Sequence, residues 1–92
     1  MYVWAIFEKR ALKRIVKKLP QNILFRYEAW KRIVELSGPT GLRTIKGFHD
    51  EALKGVWKGY RSSRLGDKWR IIYLAKAEVF EVFVIEINPH EY

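Results

Sequence analysis

From Leu12 to Val34 the apolar residues of this chain keep the period of a helix, and beyond it they do not. Leu12, Ile15, Val16 and Leu19 fall at i, i+3, i+4 and i+7, which is one stripe along a helix. Ile23, Tyr27, Trp30 and Val34 make a second stripe, spaced four, three and four apart. Pro20 divides the two, because proline disfavours helical geometry in the residue before it, and it is expected in the first turn of the second helix. Ser37-Gly38-Pro39 ends that helix. Two helices joined by so short a connection are expected to run roughly antiparallel.

The rest of the chain reads as strands. Tyr2 to Phe7 is β-branched and aromatic and suits a first strand. The segment 38–55 carries Gly38, Gly41, Gly47 and Gly55 without a clear period, and reads as a loop with an extended piece around Leu42 to Ile45. Strands are expected at Val56 to Ser63, Trp69 to Ala75 and Val79 to Asn88, joined at Gly66-Asp67 and Lys76-Ala77-Glu78 by links short enough for hairpins. Phe80, Val82, Phe83, Val84 and Ile85 make the last strand apolar on both faces, as a central strand would be. The order is β-α-α-β-β-β. This is an α+β fold in one domain over residues 1–92, with two N-terminal helices on one face of an antiparallel sheet. The other face is left partly open, and function is expected there.

Charge narrows the partners. Eighteen Lys and Arg against ten Asp and Glu leave a formal charge of +8, a field that suits a polyanion such as nucleic acid. An acidic membrane or a very acidic protein would satisfy the same field. With no cysteine and only two histidines, disulfides and thiolate metal sites are excluded and no metal or other cofactor is expected. A reducing cytoplasm is the simplest home. No apolar run reaches the ~20 residues that span a bilayer, so no membrane partner is expected. The short apolar run at the N-terminus has no basic residues before it, and reads as a strand instead of a leader.

Five groups of residues could carry chemistry, each with a plain structural alternative. The segment Leu53 to Arg61 mixes Lys54, Lys58 and Arg61 with Trp57 and Tyr60. On a strand, Lys58 and Tyr60 would share one face and Trp57 and Arg61 the other. Cations for phosphate and rings for unpaired bases suit single-stranded RNA, while the same residues also make an ordinary solvated sheet surface. Arg70 interrupts the apolar strand Trp69 to Leu74, and needs either an ion pair with Glu81 or Glu86 or an anionic ligand on the open face. At the C-terminus His90, Glu91 and Tyr92 can all exchange protons, yet the last residues of a chain are usually a frayed tail. His49-Asp50-Glu51 is a second and weaker polar cluster, in the long loop. The basic face of the first helix (Lys9, Arg10, Lys13, Arg14, Lys17, Lys18) is either solvated or a site for RNA or an acidic protein.

The ordered set LKGVWKGYRSSRLGDKWRIIYLAK, then VFVIEINPHEY, resembles the RelE/ParE toxin superfamily, and within it the RelE-, YafQ-, YoeB- and HigB-like messenger-RNA interferases. The resemblance runs over nearly the whole chain. It implies an endoribonuclease that cuts messenger RNA without a metal, in many members on the ribosome, and so inhibits translation. The 2′-hydroxyl would attack the adjacent phosphate and leave a 2′,3′-cyclic phosphate and a 5′-hydroxyl. Such chemistry needs a base, an acid and cations around the phosphorane.

Position by position, Arg70 matches the family's strand arginine, which stabilises the transition state. His90 matches the tail histidine, a general acid or base, and Tyr92 the closing tyrosine, which stacks on the base or shuttles a proton. Lys58 occupies the basic strand that supplies lysines near the scissile phosphate, with Lys54 and Arg61 beside it and Arg64, Tyr60 and Trp57 as further RNA-binding residues. Glu91 separates His90 from Tyr92 where some relatives have the two adjacent, and Ala52 falls where some have a catalytic glutamate, next to Glu51. The identity of the base stays open.

The resemblance also implies partners: an acidic cognate antitoxin, messenger RNA with the ribosome, and an oligomeric toxin–antitoxin complex on operator DNA. Two alternatives share the fold. One is a ParE-like poison of DNA gyrase, which typically lacks a His/Tyr tail; the other is a non-catalytic RNA- or ribosome-binding relative.

Overall fold

The computed structural model describes residues 3–89. Its elements are β1 (Ala5–Glu8), α1 (Arg10–Lys17), α2 (Gln21–Ser37), α3 (Pro39–Arg43), β2 (Glu51–Ala52), β3 (Arg61–Arg64), β4 (Trp69–Lys76) and β5 (Glu81–Pro89), with 3-10 turns at Lys46–Phe48, Gly55–Trp57 and Ala77–Val79. The five strands form one sheet in the order β1-β5-β4-β3-β2. In keeping with its apolar run, β5 is an interior strand, flanked by β1 and β4, and β4 is the middle strand. β3 and β5 each pair antiparallel with β4 through the two expected hairpins.

The sheet is mixed, where the sequence reading expects it antiparallel. β1 runs parallel to β5, with Ala5 opposite Glu81 and Glu8 opposite Val84. The intervening chain makes this possible: a strand can return parallel to its neighbour only through a long crossover, and everything from α1 to β4 lies between these two.

The second stripe is buried as its spacing demands, with Tyr27, Trp30 and Val34 fully enclosed. In α1, Leu12 and the following Leu19 are buried, but Ile15 is 43% exposed, because an eight-residue helix turns too little of its surface to the sheet. These side chains meet Ile71 and Tyr73 of β4 and Val82, Val84 and Ile87 of β5 in one core. Trp30 is its hub. Its ring lies edge-on to Tyr73 at 5.2 Å, and its Nε1 donates to Ser63 Oγ at 3.0 Å. Tyr27 donates from its hydroxyl to Glu8 Oε2, tying α2 to β1.

Three segments differ from the sequence expectation, the first being β2 (Glu51–Ala52), a strand inside the stretch read as a loop. Residues 42–45 are not extended: Pro39–Arg43 is a third helix, with Leu42 fully buried, and proline at its first position suits a helix start. Five residues are too few to show a helical period. Likewise the strand expected over 56–63 is reduced to Arg61–Arg64. A 3-10 turn and Gly59 at φ 97° take up the rest, so the face alternation expected from Trp57 to Arg61 does not arise. Trp57 and Tyr60 instead touch edge to face at 5.4 Å.

Gly38 fixes the end of α2. Its φ is 72°, its N–H bonds Val34 O at 2.8 Å, and a Cβ there would lie 2.5 Å from Trp4 Nε1. Backbone conformation and contact both demand glycine. Gly38→Ala should therefore cost about 3 kcal/mol and lower the melting temperature by roughly 10–20 °C. An unchanged melting curve would mean that Trp4 does not seat on this turn.

Candidate active site

The helices cover one face of the sheet, and the chain's polar chemistry divides between its two sides. On the covered side stands Asp50, immediately before β2, its side chain fully buried. Arg61 donates to Oδ1 from Nε at 2.8 Å and from Nη2 at 2.7 Å. Ser63 and Tyr73 both donate to Oδ2 at 2.6 Å. Every donor comes from β3 or β4, and Ser63 itself accepts from Trp30, so one carboxylate joins the long loop, two strands and α2. Burial and the bond to Asp50 push the Tyr73 phenol well above its ordinary value. Burial alone would lower the Arg61 pKa, but the hydrogen bond and charge of Asp50 outweigh it and raise it.

Because successive residues of an extended chain face opposite ways, Asp50 turned inward puts Glu51 outward. Glu51 pairs with Ser62 of β3, and both line a narrow cleft of about 50 Å3 on the uncovered face. His49, Arg64, Asp67 and Arg70 complete its polar lining. His49 holds a left-handed conformation (φ 44°), which non-glycine residues adopt at a cost, often at functional sites.

Arg64 and Arg70 are direct cross-strand partners, so like charges face each other. Arg70 makes no ion pair among the described residues, and its Nε is buried without a hydrogen-bond partner. Neither carboxylate considered for it answers: Glu81 is opposite Lys76, and Glu86 accepts from Asn88 Nδ2 at 2.9 Å.

The other expected site residues scatter. Arg61 is spent on Asp50 and does not line the cleft. Lys54, Lys58, Trp57 and Tyr60 lie on the turn-rich approach to β3, also outside the cleft lining. His90 and Tyr92 fall outside the described residues. The cleft instead brings in His49 and Glu51, which the sequence reading held as weaker candidates. Their signal was the acidic pair Asp50-Glu51, of which a strand end can bury only one.

Two measurements test this arrangement. Asp50→Ala should cost about 3 kcal/mol, since it strands Arg61, Ser63 and Tyr73 together; an unaltered urea midpoint would show the loop is held otherwise. Tyr27 and Tyr73 hold their protons above the ordinary phenol value, through burial first and then their carboxylate partners. The unfolded chain releases those protons near pH 10 and the folded chain keeps them, so stability should fall as pH rises past about 10. Tyr73→Phe should flatten that decline, and an equally steep decline would remove Tyr73 as its source.

No protein-family model matches the chain, and no curated protein does either. Solved structures do match. RelE in the archaeal RelE–RelB complex from Pyrococcus horikoshii OT3 superposes with a TM-score of 0.75 at 20% identity, over 95% of this chain and 94% of that one. The YoeB–YefM complex from Staphylococcus aureus gives 0.71 at 14% identity, over 97% and 98%. The toxin–antitoxin complex RelBE2 from Mycobacterium tuberculosis gives 0.62 at 18% identity, over 95% and 98%. With the mixed sheet, the helical layer on one face and this end-to-end coverage, the chain has the fold of the RelE-like toxins.

Proposed function

We propose that the protein is the toxin of a type II toxin–antitoxin system, an endoribonuclease that cuts messenger RNA in the cleft on the uncovered sheet face and so inhibits translation. The observation that carries the reading is the opposition of Arg64 and Arg70 beside Glu51 and His49. Two guanidiniums on neighbouring strands, one with a buried and unpartnered Nε, form a cradle for a phosphate. A carboxylate and an imidazole on the same wall supply proton transfer.

In the proposed reaction Glu51 or His49 removes the proton of a 2′-hydroxyl. The freed oxygen attacks the adjacent phosphorus, and the arginines neutralise charge gathering on the equatorial oxygens. The bond from phosphorus to the 5′-oxygen breaks and that oxygen takes a proton, leaving a 2′,3′-cyclic phosphate and a 5′-hydroxyl. His90 is the acid by the family resemblance, and Tyr92 stacks on the base. Lys58 and Lys54, on the exposed approach to β3, add positive field along the RNA.

The same reading gives the chain an acidic antitoxin that covers its basic surface, a place of action on the ribosome in the cytoplasm, and an oligomeric complex with the antitoxin on operator DNA. A translation extract with a defined messenger RNA, read by primer extension, tests the activity. The unaltered protein should give discrete cuts, and Arg70→Ala should weaken them about a hundredfold, the usual effect of losing one transition-state donor. Glu51→Gln, His49→Ala and His90→Ala then identify the base and the acid. Intact messenger RNA with the unaltered protein would overturn the ribonuclease reading and turn attention to gyrase.

A further inference from the structure

A larger groove of about 1050 Å3 lies between the start of α2, the 46–49 turn and the β3–β4 hairpin. It shares His49, Arg64 and Asp67 with the narrow cleft, so the two adjoin. Gln21 and Phe25 are one helical turn apart on the groove wall, as are Asn22 and Arg26.

Arg26 is held in place. Its Nη2 donates to Gly47 O at 3.0 Å, its guanidinium sits 4.7 Å over the Phe48 ring, and its Nε is buried without a partner. Gly47 permits this approach, since a Cβ there would lie 3.3 Å from Arg26 Nη2. Lys46 adds a second cation, against the lone acid Asp67. Phe25 is 76% exposed among these groups. A single exposed ring is ordinary on a protein surface. This one stands in a groove whose cations and amides outnumber its single acid, and which shares Arg64 with the cleft that Arg70 lines.

Cations beside a freely accessible flat ring are what unpaired nucleic acid needs: charge for the backbone and a face for a base. Side-chain amides add paired donors and acceptors able to read a base edge. We propose that this groove binds the single-stranded RNA flanking the phosphate in the cleft, with Phe25 stacking on an unpaired base and Gln21 and Asn22 reading its edge. The inference rests on the RNA-directed reading of the cleft, but not on cleavage. Arg26 and Lys46 take the flanking phosphates. Phe25 is then a specificity-determining residue 45 positions away in sequence from Arg70, joined to it only by the fold.

Fluorescence anisotropy with a short 2′-O-methyl RNA, which cannot undergo attack by its own 2′-oxygen, measures binding apart from cutting. Phe25→Ala should weaken binding about tenfold or more, the scale of one lost base stack, and Phe25→Trp should restore it. The melting temperature should not move, because the ring is exposed in the folded protein. Asn22→Ala and Gln21→Ala should change which base is preferred next to the cut.

Undiminished binding by Phe25→Ala overturns the proposal. So does full affinity in Phe25→Leu, which keeps an apolar contact without a flat face and would mark the groove as a surface for a protein segment. If the unaltered protein cuts no RNA and yet Phe25→Ala releases the oligonucleotide, the ribonuclease reading falls and the groove stands.

Discussion

The buried carboxylate of Asp50 is the constraint on which the rest of the molecule depends. Taking a charge out of water is costly, and here the cost is met by four hydrogen bonds from three residues of the two neighbouring strands. Those bonds set where the long loop meets the sheet, and through Ser63 and Trp30 they register α2 against the same strands. The segment before Asp50 consists of the short helix α3 and a 3-10 turn, and this anchor, with Phe48 and Leu42 in the core, holds its end to the sheet. His49 and Glu51 inherit their positions from it.

The same anchor separates the arginines by task. Arg61 is consumed by Asp50 on the helix-covered side. Arg64 and Arg70 stand on the open side, opposed across β3 and β4. A buried donor without an acceptor, as at Arg70 Nε, costs about 1–3 kcal/mol. A fold keeps such a loss where an anion repays it, and local departures from good packing chemistry concentrate at functional sites. The rest of the open face is different in kind. Phe7 stacks on Phe83 at 5.1 Å, with Leu74 and Ile85 beside them and Lys76 Nζ 5.3 Å from the Phe83 ring, so that part of the face is largely apolar.

Much of this was legible in the amino-acid order. The stripe Ile23, Tyr27, Trp30 and Val34 named the buried face of α2 residue by residue, because a helix of seventeen residues repeats its period often enough to be read. The apolar run in β5 marked an interior strand. Short elements were not legible: α3 is five residues, β2 is two and β3 is four, too few for any period to declare itself. The parallel pairing of β1 with β5 was hidden as well, since sequence patterns describe faces and not neighbours.

The candidate site divides along the same line. That Arg70 is a charge on an apolar strand, unable to rest there without a partner, follows from the sequence alone, as does the basic field of the whole chain. Whether its partner was Glu81, Glu86 or an anion from outside was a matter of cross-strand register, and register exists only once the strands pair. The same holds for His49 and Glu51, and for Phe25, which the groove unites with Arg64. Legible from the order of residues were the helical stripes, an interior strand, the charge and an arginine on an apolar strand that calls for a partner. Tertiary structure alone decided which acid was buried and which was left beside the arginines, because that choice is made by strand alternation and by hydrogen bonds between residues distant along the chain.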